Sequence, residues 1–385
     1  MKKFIIFICV FLCLVGCSNE KPKEPEVPNP NEQKEEEPKQ EEKTPVKWIA
    51  DPESKTRPYA VMINCHNNAL PQSDVNKAYI VYELMVEGGI TRMMALYKDA
   101  DASKIGSVRS ARSQYLGYVL ENDATYVSAG GSNEGIREVN KLGINRIDVD
   151  NSAYGMRDTK LKRDYEHTLF TSIDKLKKAS KNYNYRTTTD KGLLLKYSEE
   201  ELDLSKYKSA IKAENISIKY SDYRTSKYTY DSTNKTYLRF MNNTKNTDLT
   251  TGNQYTAKNI IVYGVKYTTF TSDNYYGYQK INNIGSGEGY YITNGYAIPI
   301  TWSKKDLSSK TIYKIKETNE ELVVNNGNTY IQIYPKGNDM KIKESEQLKM
   351  LATESGKTAN QVSETIVTEL INRKIIEDIP DNWGL

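Results

Sequence analysis

Across 385 residues this chain has only two histidines and four cysteines. His66 and His167 lie a hundred positions apart with no accompanying set of cysteines, so no recognisable zinc site is present. Cys65 and His66 are neighbours, and neighbours in a strand point to opposite faces, which argues against a nucleophilic dyad. No G-x-S-x-G elbow, Walker A loop or dinucleotide fingerprint occurs. Cys9 and Cys13 fall in an apolar leader and Cys17 ends it, so Cys65 is left without a disulfide partner. Packing alone must hold the fold. No run is long and apolar enough to span a bilayer. With 54 Lys and Arg against 50 Asp and Glu, the net charge of +4 is far below a nucleic-acid-binding signature.

What is present begins with address information. Lys2 and Lys3 precede an apolar stretch from Phe4 to Val15, which has the length of a signal-peptide core. LVGC then ends at Cys17 and resembles the lipobox of bacterial lipoproteins. That resemblance implies cleavage before Cys17, lipid on its thiol and new amino group, and a place on the outer face of the cytoplasmic membrane. Residues 18 to 47 carry nine Glu, six Lys and six of the twelve Pro, a composition expected of a disordered tether. The leader contributes +2 and the tether −3, so the remaining body carries +5, a mild excess suited to an anionic envelope.

The expected organisation is α+β with two domains. Residues 1–16 are the signal peptide and 17–47 the lipidated cysteine and tether. In 48–208, RPYAVMIN, AYIVYELM, ITRMMALYK, ATYVSAG and NRIDVD read as strands. Helices are predicted from Arg109 to Asn122, over 132–142 behind Ser132, and over 171–180. Alternating strands and helices indicate an α/β layer domain. In 209–340 short runs such as NISIKY, KTYLRFM, NIIVYGVKY and NTYIQIYP indicate an antiparallel β-rich domain. The 30 tyrosines, many of them here, suit a half-wet sheet and need no ligand to explain them. Residues 341–385 return to helical spacing and read as a short C-terminal helical hairpin, an appendage for packing or partner binding.

Three polar segments of the first domain carry the candidate chemistry. GGITR supplies Arg92, GSVRSAR supplies Arg109 and Arg112, and SAGGSNEG supplies Gly130, Gly131 and Ser132 at a strand-to-helix turn. Arginine forks beside a helix N-terminus make a site for a phosphate or carboxylate. Glu83 and Glu87 stand nearby in sequence, to engage those arginines or to act as acid, base or metal ligand. Asp158 and His167 lie in a charged stretch, RDTKLKRDYEHTLFTS, that either closes over the arginines or is a solvated loop.

VEGGITR, KIGSVRSAR, VSAGGS and the HTLFTS stretch together resemble the YerB-like lipoproteins of Gram-positive bacteria, a family built on a domain of unknown function. The resemblance covers most of residues 55 to 335. That family usually has Pro where this chain has Ser107, and Pro-His-Asn-Leu-Tyr where this chain has Glu166 to Phe170. A weaker likeness of layout is to LytR-CpsA-Psr glycopolymer transferases, which also set arginines after a core strand. The expectation is a membrane-tethered extracytoplasmic lipoprotein that binds or scaffolds, with an arginine-lined anion site and no cofactor or metal. Its expected partners are the membrane, through the lipid, and a cell-wall polymer or envelope protein, not nucleic acid. The alternative is an envelope enzyme acting on a phosphorylated or pyrophosphate-linked glycopolymer precursor.

Overall fold

Alternation along the strand Tyr59–Asn64 (β1) shows how the core is built. Tyr59, Val61 and Ile63 enter one apolar cluster, Ala60 and Met62 another, and all six residues are buried. A strand buried on both faces reads as a continuous apolar run. The same holds for Ile80–Met85 (β2) and Thr91–Tyr97 (β3), which form an antiparallel hairpin through a tight turn at Glu87–Gly89. Gly88 and Gly89 take φ of +70° and +69° there, left-handed values that glycine adopts without strain.

The computed structural model describes residues 46–150, 152–270 and 277–345. The leader, Cys17, most of the tether and the expected C-terminal helices lie outside the described residues; Met340–Lys343 is a strand. Short elements Ile105–Gly106 (β4), Thr125–Ser128 (β5), Arg146–Asp148 (β6), Met156–Arg157 (β7) and Leu169–Thr171 (β8) follow β3. Among the described residues the α-helices are Leu116–Glu121 (α1), Asn133–Lys141 (α2) and Ile173–Asn182 (α3). Strands therefore dominate even the half expected to be an α/β layer.

One large sheet runs through both halves of the chain. Its order is Ile211–Lys212, Tyr296–Lys304, Gly285–Thr293, Asn259–Thr269, Thr329–Pro335, β2, β3, β1, β5, β6. The late strand Thr329–Pro335 lies between β2 and Asn259–Thr269, parallel to both. β1, β5 and β6 are parallel neighbours, with α2 crossing between the last two. A second sheet, built from Asn215–Lys219, Thr225–Asp231, Thr236–Met241 and Met340–Lys343 with shorter strands, shares one apolar cluster with the large sheet and α3. The other face of the large sheet is covered by α1, α2 and the segment around Leu194, Leu195 and Leu204. Many tyrosines are core residues, among them Tyr82, Tyr118, Tyr228, Tyr237 and Tyr263.

Candidate functional site

The carboxyl ends of β1 and β5 diverge, and the GSVRSAR segment fills the gap between them. Its backbone is extended, not helical. Arg109 N donates to the Met62 carbonyl at 2.9 Å and Ala129 N to the Arg109 carbonyl at 3.0 Å. Ala111 N donates to the Gly130 carbonyl at 3.0 Å. Arg112 itself is extended at φ −139° and ψ 140°, and helical turns start only at Ser113. These inter-strand bonds override the expected helix from Arg109. Residues three apart in an extended segment point to opposite sides, so the two arginines do not share a helical face.

Arg112 joins Arg92 on Glu87. Arg92 Nη2 donates to Glu87 Oε1 at 2.8 Å, and Arg112 donates to the same carboxylate through Nε (2.9 Å) and Nη2. Carbonyls take further donors: Arg92 Nη1 to Ser110 at 2.7 Å and Arg112 Nη1 to Ala111 at 2.8 Å. Burial pushes the Arg92 guanidinium down to about 10; Glu87 opposes this, while Arg112 and Arg109 add to it. Burial alone would raise the Glu87 carboxyl, yet the two arginines hold it below its ordinary value. This pair braces the hairpin against the inserted segment.

Glu83 is elsewhere. β-strand alternation places it on the opposite face of the sheet from Arg92, where Arg239 Nη2 donates to it at 2.9 Å and both side chains are fully buried. Glu87 lies beyond the strand end, so the expectation that the two glutamates share a face does not hold. Asp158 is not beside the arginines either, since Lys104 Nζ donates to it at 2.6 Å. The Ala129–Ser132 turn is likewise engaged by protein. Gly130 N donates to Asp148 Oδ1 at 3.0 Å, and Ser132 Oγ caps α2 by accepting from Gly135 N at 3.0 Å. Gly130 and Ser132 thus hold Ala111, through the Gly130 carbonyl and Ser132 N, rather than offer free donors.

Arg109 turns away from Glu87, toward the loop that carries Glu166. Its Nη2 donates to Glu166 Oε1 at 3.0 Å, with the arginine side chain 27% and the glutamate side chain 56% exposed. Beside it the chain's two histidines stack, ring centroids 5.0 Å apart and planes 11° from parallel. Asn64, the last residue of β1, sets the tautomer of His167, while His66 Nδ1 accepts from Asn68 N at 3.2 Å. Asn64 Oδ1 accepts from His66 N at 3.0 Å, which turns its Nδ2 toward His167 Nδ1, also at 3.0 Å. Nδ1 of His167 is then an acceptor, and the proton sits on Nε2, 4.0 Å from Glu166 Oε1. Burial and then Arg109 hold His167 below the ordinary histidine value, so the ring is neutral near pH 7. The result is a guanidinium and an imidazole N–H facing one exposed carboxylate. Among the described residues no group of three or more His, Cys, Asp or Glu is arranged to hold a metal ion.

Asn64 was not marked by motif reasoning, whereas Glu166 lies in the charged stretch expected to close over the arginines and does meet Arg109. The available signal was that both histidines stand in polar segments at strand ends, CHNN and EHTLF. Cys65 faces away from His66 into the core, its thiol pushed up to about 11 by burial.

Residues 44–186 match the family described as "Protein of unknown function (DUF3048) N-terminal domain", and 216–331 match its C-terminal domain. The chain is 28% identical over 255 residues to a Bacillus subtilis (strain 168) protein described as "Putative lipoprotein YerB", covering 64% of this chain and 73% of that one. A crystal structure of YerB protein from Bacillus subtilis shares the fold, with a TM-score of 0.64 at 24% identity over 75% of this chain and 94% of that one. With both domains matched in order across most of the described body, the chain belongs to the YerB-like family.

Proposed function

We propose that this protein is a lipid-anchored extracytoplasmic binding protein whose crevice at the ends of β1 and β5 takes a phosphate or carboxylate. Cys17, in its lipobox-like setting, is the anchor, and no helix among the described residues is long and apolar enough to cross a membrane. The carrying observation is the Glu166 carboxylate lying over Arg109 and His167 Nε2 from a half-exposed side chain. It occupies the place an external anion would take. The carboxyl ends of parallel strands are a recurrent position for ligands. Arg92 and Arg112 support the site from below and add positive potential to it.

The enzymatic reading offers Glu83, Glu87, Asp158 or His167 as acid or base. The three carboxylates are held by Arg239, by Arg92 and Arg112, and by Lys104, and Asn64 turns His167 Nε2 into a donor toward Glu166. Binding is therefore the better account. The test is the thermal stability of the full chain with inorganic phosphate and with acetate, since a ligand of the native state alone raises the melting point. Phosphate is expected to raise it in the wild type and more strongly in Glu166→Gln, which removes the internal competitor. Arg109→Lys keeps the charge but loses the planar fork, and is expected to weaken phosphate binding about tenfold. Equal melting points with and without both anions, in all three proteins, would remove the proposal. Cys17→Ser should free the protein from the membrane fraction, and its full retention there would place the anchor elsewhere.

A further inference from the structure

On the face of the large sheet opposite Arg92, a buried polar cluster carries unmatched charge. Arg224 is 2% exposed. Its Nη2 donates to the Cys65 carbonyl at 2.8 Å and to Asn67 Oδ1 at 3.3 Å, while Nε and Nη1 have no protein acceptor. Ser226, two residues on, donates to Glu83 Oε1 at 2.9 Å, and Tyr228 stands in register with Arg239. Arg239 is held by Glu83 and Asn246. From the large sheet, Gln332 lies in register with Glu83. Its Oε1 accepts from the Tyr220 hydroxyl at 3.1 Å, and its Nε2 has no acceptor. The Arg224 guanidinium feels both Glu83 and Arg239, and the Tyr220 hydroxyl that meets Gln332 also reaches the Glu83 carbonyl at 3.1 Å, so Arg224 and Gln332 both border Glu83.

Two guanidiniums and one carboxylate leave one positive charge buried, and Cys65, kept as a thiol by burial, does not balance it. The unmatched atoms are all capable donors: Arg224 Nε and Nη1, Arg239 Nε, Gln332 Nε2 and the Tyr228 and Tyr330 hydroxyls. A buried charge needs an opposite charge, and a set of N–H groups without acceptors needs a lone-pair donor. One small anion supplies both. We propose that a chloride-sized monovalent anion binds between the two sheets, on Arg224 and Gln332 Nε2, and fastens the second sheet to the large one. This site shares no residue with the Arg109 site, although Arg224 reaches the Cys65 carbonyl just past the end of β1.

The experiment compares the melting midpoint of the full chain in sodium chloride and in sodium gluconate at one ionic strength. Chloride is expected to raise the midpoint by several degrees, saturably, and Arg224→Met to erase the difference between the salts. Where Arg224→Met does not fold, Gln332→Leu, which keeps both arginines, is expected to shrink that difference. Crystals of the full chain grown in sodium bromide supply the position, with an anomalous bromine peak expected within hydrogen-bond reach of Arg224 Nε and Gln332 Nε2. Equal midpoints in the two salts, or a bromide crystal without a peak there, would overturn the proposal and leave the donors to water.

Discussion

Glu83 and Arg239 join residues 156 positions apart through one fully buried ion pair. Thr91 and Ser226 hydroxyls satisfy the remaining carboxylate capacity at 2.7 and 2.9 Å. Removing one member strands the other, so Glu83→Gln is expected to cost about 3–5 kcal/mol in a denaturant titration. The Arg109–Glu166 pair is half exposed, and its loss should cost less than about 1 kcal/mol. That contrast separates the half-exposed arginine proposed to bind from the buried Arg239 that braces the core. The pH dependence follows from the same groups. Burial acting alone raises the Glu83 carboxyl, but Arg239 and the hydroxyls hold it below its ordinary value. A carboxyl depressed in the fold stabilises above its unfolded value of about 4.3, and that contribution is lost as pH falls toward the folded value. His167, depressed by burial and by Arg109, adds an earlier loss. The unfolded histidine takes its proton near pH 6.5 while the folded one resists. Stability measured by denaturant should therefore decline in two stages on acidification, first below about pH 6.5 and again below about 4.

At the scale of elements, local signals proved readable where they agreed with long-range pairing. Ser132 was expected to open a helix and does cap α2. Ser132→Ala should cost about 1 kcal/mol and loosen the Ala129–Ser132 turn, measurable as faster amide exchange in α2. The strands on either side of Gly88 and Gly89 were likewise visible. GSVRSAR was not. Its spacing of two arginines suits a helix, but its partners, Met62 and the Ala129–Gly130 backbone, come from distant positions that no local window contains. The candidate site was half legible for the same reason. Arg92, Arg109 and Arg112 were identifiable as residues, yet their sorting into a braced pair and an outward fork depends on which side of an extended segment each takes. Glu83 was legible as a charge amid apolar residues, while its partner Arg239 lies in a strand of the other half.

For the whole molecule, the two halves matched by separate family descriptions share one sheet. Thr329–Pro335 is an interior strand flanked by β2 and Asn259–Thr269. A chain ending at residue 208 would expose β2 as an edge and leave Glu83 without Arg239, so it should show no cooperative melting. A sharp thermal transition from that fragment would contradict this. Two domains in sequence thus share one sheet, and the proposed ligand crevice lies in the half that contains β1 and β5. Whether that crevice binds an anion is read most directly at His167, whose Nε2 proton faces it. The measurement is the titration of the His167 imidazole in the full chain, by NMR, with and without inorganic phosphate. An anion beside Arg109 should raise the His167 pKa saturably in the wild type and far less in Arg109→Lys. A His167 titration curve that phosphate leaves unchanged would contradict the anion site.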